Sequence, residues 1–261
     1  MSDNETARGR ASLGKALKNG FRSAYESLAF VVGASFVTLV VTAGVLALMG
    51  LISASAPHPR SFGMLLGLPA LLVGWLCAVG VFYYTKKAVW HEHPITTDVF
   101  EGIRKLLGPA LVLFVVDLAI STVLFGDVVF FALAFKARGG PILAGLAMVC
   151  VYLAFMWSLM ALWHMPLLIA QLDMESGPRL KAILRKSYLL VADNPGFTVG
   201  LFVVIIAFTV LCAISAVGMA LLFAGTLAFL LTCSLRELFV KYGIVEEEPE
   251  VVDDRPWRLP E

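Results

Sequence analysis

The stretch from Phe197 to Leu235 contains 39 residues, none of which is charged or histidine. One helix needs about 20 apolar residues to cross the hydrocarbon core of a bilayer. The stretch is therefore twice the length of one transmembrane helix. We expect it to form a helical hairpin of two spans that turns near residues 215–218.

Five sixths of the chain is uncharged. Charged residues make up only 15% of it and hydrophobic residues 59%, whereas soluble domains have about 25% charged residues. The pattern predicts an all-α polytopic membrane protein with six transmembrane helices. We expect these spans at about 28–52, 63–84, 107–125, 142–165, 197–215 and 217–235. Residues 126–135 either extend the third span or lie along the membrane surface.

Lys and Arg are distributed unevenly between the two sides of this layout. Only Arg60, Lys136 and Arg138 fall on one side, and the other 17 of the 20 basic residues fall on the opposite side. Basic residues concentrate in cytoplasmic loops. We therefore expect a multi-pass protein of the cell (cytoplasmic, inner) membrane with both termini in the cytoplasm.

A short basic amphipathic segment followed by a span occurs three times, starting at Ala16, Val99 and Ile183. The repeat predicts three helix hairpins, each preceded by a short interfacial helix. In the third copy Lys181, Arg185 and Lys186 lie opposite the apolar face, where they would fix topology and meet lipid headgroups. The Asn194-Pro195 junction should end this helix and begin the next span, and Gly108-Pro109 should make the same break in the second copy. Chance similarity among ordinary membrane hairpins is the alternative explanation.

Three domains follow from this layout: a cytoplasmic amphipathic segment over 1–27, the membrane domain over 28–236 and an acidic cytoplasmic tail over 237–261. The tail is either solvated or a clamp for basic helices or a cytoplasmic partner. The net charge of +1 argues against a nucleic-acid partner. The four cysteines lie in apolar runs without metal-ligand spacing, and we expect no metal and no cofactor.

Asp117, His164 and Trp157 are the candidates for a polar site inside the membrane. Asp117 is the carboxylate nearest the middle of a predicted span, His164 precedes Pro166, and Trp157 carries an indole N–H that needs an acceptor. A functional interpretation has Asp117 bind a cation, a proton or a sugar hydroxyl. The structural interpretation has it hydrogen-bonded to a Ser, Thr or Trp of a neighbouring helix.

Small residues recur at every fourth position of the predicted sixth span, at Ala216, Ala220, Ala224 and Ala228. Small residues at this spacing let membrane helices approach closely. The stripe predicts a packing face, either inside the protein or between protomers. No catalytic motif accompanies it, and we expect no enzymatic activity.

Residues 79–117, VGVFYYTKKAVWHEHPITTDVFEGIRKLLGPALVLFVVD, resemble the YesL-like family of bacterial integral membrane proteins. The junction around LKAILRKSYLLVADNPGFTVGLF resembles the second such junction of that family. The resemblance implies about six helices and a link to carbohydrate uptake or breakdown, and it supplies no catalytic residues. The membrane domain that accompanies some glycerophosphodiesterases has similar junctions and is a second possible relative.

These features favour an accessory or transport-associated membrane component linked to carbohydrate uptake, with a small-molecule ligand that the sequence leaves open. A membrane scaffold or assembly partner, acting through the alanine stripe and the tail, is the alternative. Such a scaffold would bind another membrane protein or form a homo-oligomer. In either case the lipid bilayer is the expected surrounding partner.

Overall fold

The computed structural model describes residues 11–54, 59–173 and 177–246, with the side chains of 52–54, 59–66 and 216 excepted. These residues form helices and their connections, without strands. The helices are α1 (Leu13–Glu26), α2 (Leu28–Ala54), α3 (Pro59–Val89), α4 (Asp98–Arg138), α5 (Pro141–Ala170), α6 (Leu180–Asp193), α7 (Pro195–Ile214), α8 (Ala216–Leu221) and α9 (Phe223–Lys241). A 3-10 turn over Gln171–Asp173 follows α5.

Six of these helices are long and apolar enough to cross a membrane: α2, α3, α4, α5, α7 and α9. The prediction of an all-α polytopic membrane protein with six spans is confirmed at this level. The chain is a multi-pass integral membrane protein. Residues 247–261, which hold most of the predicted acidic tail, and residues 1–10 lie outside the described residues.

One end of the bundle collects the termini of most helices, and we call it the basic end. There α3, α5 and α9 finish at Val89, Ala170 and Lys241, and α4 and α7 begin at Asp98 and Pro195. At the opposite end α4 turns into α5 through Gly139 and Gly140, both with positive φ (67° and 103°). Glycine adopts this backbone conformation without a steric penalty, which allows a tight turn.

Helix α9 is the most buried of the spans and lies in the interior of the bundle. Helix α1 runs antiparallel to it and buries Ala16, Gly20 and Ala24 on one face. A Cβ atom placed on Gly20 would lie 3.1 Å from the Cα of Leu230, so the two backbones nearly touch. The N-terminal amphipathic helix is therefore packed against the protein along this face.

The second copy of the repeat differs from its prediction. The chain does not break at Gly108-Pro109, and α4 continues for 41 residues with Pro109 inside it. Residues 98–106 belong to the same continuous helix as the span, because Gly102 and Leu106 are buried and Gly102 packs against Tyr83 of α3. Residues 126–135 extend this helix, which is the first of the two alternatives. At 1.5 Å per residue α4 is about 60 Å long, twice the hydrocarbon thickness.

The last predicted span is also divided. Helix α7 ends at Ile214, and the Ser215 hydroxyl accepts a hydrogen bond from the Gly218 amide at 3.1 Å. This cap starts α8, and a break at Leu222 separates α8 from α9. The turn thus lies where the sequence predicts it, but the sixth span is not one helix over 217–235.

Candidate functional site

The candidate polar site lies between α4 and α5, which form a long antiparallel hairpin. Asp117 and His164 are at nearly equal distances along the chain from the Gly139-Gly140 turn. Residues placed in this way on the two arms of a helical hairpin come to the same level. The three predicted residues Asp117, His164 and Trp157 therefore meet in one place.

The centre of the site is a direct contact between Asp117 and His164. The Nδ1 atom of His164 lies 2.8 Å from Oδ1 of Asp117. His164 is fully buried, and the Asp117 side chain is 12% exposed. When the carboxylate is ionised, the imidazole Nδ1–H donates to it. The partner of Asp117 is thus a histidine rather than the Ser, Thr or Trp of the structural interpretation.

Trp157 covers the side of this pair that faces the opposite end of the bundle. It lies two turns before His164 on the same face of α5, and the two rings meet edge to face at 5.3 Å between centroids. Its indole N–H donates to the Ser121 hydroxyl on α4 at 3.1 Å. Ser121 lies one turn beyond Asp117. Two polar contacts, Asp117–His164 and Ser121–Trp157, thus join α4 to α5, and we call this pair of contacts the ladder.

The ladder includes one residue, Ser121, that the sequence analysis did not single out. Its position four residues after Asp117, on the same helical face, is the signal that would have identified it. Trp75, on α3, is not part of the ladder. Its indole N–H donates to the backbone carbonyl of Ala110 at 3.1 Å and joins α3 to α4.

The predicted topology residues lie on and beside α6. Lys181 and Arg185 are exposed, Lys186 is half-buried, and Pro195 is the first residue of α7 as expected. Ile183, Ser187, Leu190 and Val191 are the buried residues of α6, which packs on α5. Tyr188 is exposed, because it lies at the edge of this buried face, next to Lys181.

The alanine stripe is only partly a packing face. The break at Leu222 interrupts its helical spacing, so Ala216 and Ala220 lie on α8 and Ala224 and Ala228 on α9. Ala228 is fully buried in the core, Ala220 and Ala224 are half-buried, and the side chain of Ala216 lies outside the described residues. The close approach is made instead by Gly225, whose ideal Cβ would lie 2.7 Å from the Cα of Val31 on α2.

Two polar clusters at the basic end were not predicted. Lys86 of α3 is buried and lies 2.6 Å from a carboxylate oxygen of Asp173, in the turn after α5. In the second cluster Tyr242 donates to Asp193 at 2.7 Å and accepts from the Asn194 amide at 2.6 Å. Neither cluster has a sequence signal, since its members are far apart in the chain.

Known proteins add no assignment to this geometry. Comparison with protein-family models, with curated proteins and with solved structures finds no match for the chain. The class of protein, a multi-pass integral membrane protein, therefore rests on the six long apolar helices.

Proposed function

We propose that this protein is a non-enzymatic component of small-molecule transport in the cytoplasmic membrane, with both termini in the cytoplasm. The observation that carries the proposal is the buried contact between Asp117 and His164. Ionisable residues within spans are costly and commonly mark proton or substrate pathways. Histidine side chains serve as proton shuttles in proteins.

Carbohydrate is the substrate class we favour. The resemblance to the YesL-like family supports this choice, and so does the chemistry of the site. A carboxylate and an imidazole are both able to bind sugar hydroxyl groups, and an indole ring such as that of Trp157 can lie against the apolar face of a sugar. Trp157 and His164 already contact each other.

The test is transport by the purified full chain in liposomes that enclose a pH-sensitive dye. We expect at least one sugar of a broad panel to move, with an accompanying change in internal pH. Asp117→Asn keeps the size and hydrogen-bonding oxygen of the side chain and removes its charge. It should lower the rate by at least about tenfold, because a proton-transfer group is lost.

Asp127→Asn is the matched control, since Asp127 is a half-buried carboxylate of the same helix, nearer the opposite end. It should leave the rate within about twofold of the parent, because the contact between Asp117 and His164, which the proposal assigns to proton transfer, is unchanged. If no sugar moves or binds, and Asp117→Asn behaves as the parent does, the transport proposal fails. The contact would then serve only to join α4 to α5.

A scaffold function is the second candidate. Its support is the apolar surface that the outer half of the α4–α5 hairpin presents, including Phe130, Leu133, Ile142 and Met148, which are all more than half exposed. Crosslinking in native membranes followed by pulldown should recover one defined partner or a homo-oligomer. Recovery of neither would count against the scaffold.

A further inference from the structure

Five buried polar atoms near the basic end have no hydrogen-bond partner within the part of the chain that the structure describes. They are Nε2 of His164, Nε1 of Trp163, Nε2 of Gln171, Oγ1 of Thr198 and Oγ of Ser234. All five residues are at most 1% exposed. A buried polar group without a partner is costly, and native proteins keep few of them.

These residues lie at one level of the bundle. Trp163 and His164 are in the last two turns of α5, and Gln171 follows that helix directly. Thr198 is in the first turn of α7 and Ser234 in the last two turns of α9. At 1.5 Å per residue, each is within about 11 Å of the basic end of its helix.

The three helices also pack against one another. Helix α5 contacts both α7 and α9, and α7 contacts α9. The ring of Trp163 stacks on that of Phe197, the neighbour of Thr198, at 6.4 Å between centroids. Leu201, about one turn after Thr198, and Leu235, next to Ser234, belong to the same continuous core as Trp163.

His164 contacts α4 through one ring nitrogen and has the other left for this group. Its Nδ1 atom lies against Asp117 of α4, and its Nε2 atom is buried without a hydrogen-bond partner among the described residues. Gln171, in the 3-10 turn directly after α5, lies about two helical turns further along the chain. Pro166, between them, has no N–H, so the carbonyl of Leu162 lacks its usual helical donor and adds an acceptor.

We infer that these five polar groups line an internal water site that joins Nε2 of His164 to the basic end of the bundle. Buried water typically makes about three hydrogen bonds to polar groups that lack protein partners. On the other side of His164 the Trp157 ring closes the path, and its N–H is already bonded to Ser121. Building on the proposed function, the site gives the Asp117–His164 pair access to protons from the basic end alone.

Accessibility of single cysteines tests this inference. Thr198→Cys and Ser234→Cys are made in a chain whose native cysteines are replaced by alanine, namely Cys77, Cys150, Cys212 and Cys233. Leu201→Cys and Leu235→Cys are the controls, because they lie on the same helices and are equally buried but face apolar neighbours. Variants that elute as a single peak in size exclusion are treated, in vesicles of each orientation, with 2-(trimethylammonium)ethyl methanethiosulfonate, whose fixed charge keeps it on one side of the bilayer.

We expect the two test cysteines to react at least about tenfold faster than their controls, since thiol reactivity follows access to water. The reaction should occur only from the side that carries the basic end. Reaction of both test cysteines at the rates of Leu201→Cys and Leu235→Cys would overturn the inference. Reaction from both sides equally would overturn the one-sided path.

Thermal unfolding of Thr198→Val provides a second measurement without a thiol. Valine keeps the shape of threonine and removes the hydroxyl. If the hydroxyl binds internal water, the substitution breaks that network and lowers the unfolding temperature. If the hydroxyl is dry and unpaired, its removal raises the unfolding temperature, which contradicts the inference. Neither measurement uses a substrate, so both can fail while the transport proposal stands, and the reverse also holds.

Discussion

The two halves of the α4–α5 hairpin are held in place differently. Toward the basic end, α3, α6, α7 and α9 surround the hairpin, which buries Asp117, His164 and Trp163 there. Toward the Gly139-Gly140 turn the two helices pair with little cover, and most of their large apolar side chains are exposed. In a bilayer that exposure carries no hydrophobic cost, since lipid tails are as apolar as the side chains.

The difference shows what stabilises each half. The half near the basic end depends on close backbone packing and on polar groups that must find partners. The outer half depends on apolar length and on helix pairing. The same substitution should therefore have opposite effects in the two halves, and this contrast can be tested on a single helix.

The largest effect is expected for Gly102→Ala compared with Gly126→Ala, both on α4. A Cβ atom on Gly102 would lie 2.4 Å from Cβ of Tyr83, whereas Gly126 has no atom within 4 Å. We expect Gly102→Ala to lower the free energy of unfolding by about 1–3 kcal/mol through overpacking. Gly126→Ala should raise it by up to about 1 kcal/mol, because alanine favours helix over glycine.

Urea or thermal unfolding in detergent, followed by size exclusion, measures both variants against the parent. If both glycines behave alike, the two halves of the hairpin do not differ in packing as described. A gain in stability for Gly102→Ala alone would mean that α3 and α4 do not approach each other closely at Tyr83.

A smaller effect is expected when a charge is removed from an ion pair of the basic end. Asp173→Asn takes the carboxylate from Lys86, whose side chain is only 8% exposed. The control is Glu101→Gln, which breaks the exposed pair of Glu101 with Lys105 at 2.6 Å and its longer contact with Lys87 at 3.7 Å. Removal of one partner from a fully buried pair costs about 3–5 kcal/mol. Because Asp173 is exposed, we expect about 1–2 kcal/mol for Asp173→Asn and less than about 1 kcal/mol for Glu101→Gln.

The free energy of unfolding at low and at high salt separates the two pairs. The exposed pair should weaken with salt, since its charges are screened, and the pair of the buried Lys86 should change little. Equal costs for the two substitutions would contradict the distinction between buried and exposed partners at this end.

The sequence predicts the membrane class, the six spans and the Asn194-Pro195 junction, because each depends on local signals. Apolar length identifies a span, and proline marks the start of a helix. The same local rule places a break at Gly108-Pro109, where the structure has none. There the packing of Gly102 on Tyr83, a contact between two helices, outweighs the local preference.

The candidate site is predicted residue by residue but not as a contact. Asp117, His164 and Trp157 stand out because polar groups are costly in a span. Their meeting depends on the length of both helices and the position of the Gly139-Gly140 turn. The ion pair of Lys86 with Asp173 has no local signal, since it depends on how the ends of α3 and α5 come together.

The smallest effect is expected for a substitution of Tyr242, which contacts the α6–α7 junction at the basic end. Its hydroxyl lies between Asp193 and Asn194. Burial raises the pKa of the Tyr242 phenol, and the hydrogen bond to Asp193 raises it further. A raised pKa in the folded state means that the phenol contributes its stability in full below about pH 10, the ordinary value for tyrosine. That contribution is lost as the pH rises through the raised pKa.

Tyr242→Phe should therefore lower the free energy of unfolding by about 0.5–1 kcal/mol at neutral pH, the value of an ordinary hydrogen bond. The difference from the parent should disappear at strongly alkaline pH, where the phenolate of the parent meets the Asp193 carboxylate. Tyr25→Phe is the control, because Tyr25 is 77% exposed. A difference between Tyr242→Phe and the parent that stays constant up to the most alkaline pH would mean that the hydroxyl does not bridge α9 to the junction. The contact between Tyr242 and the α6–α7 junction would then depend on apolar packing alone.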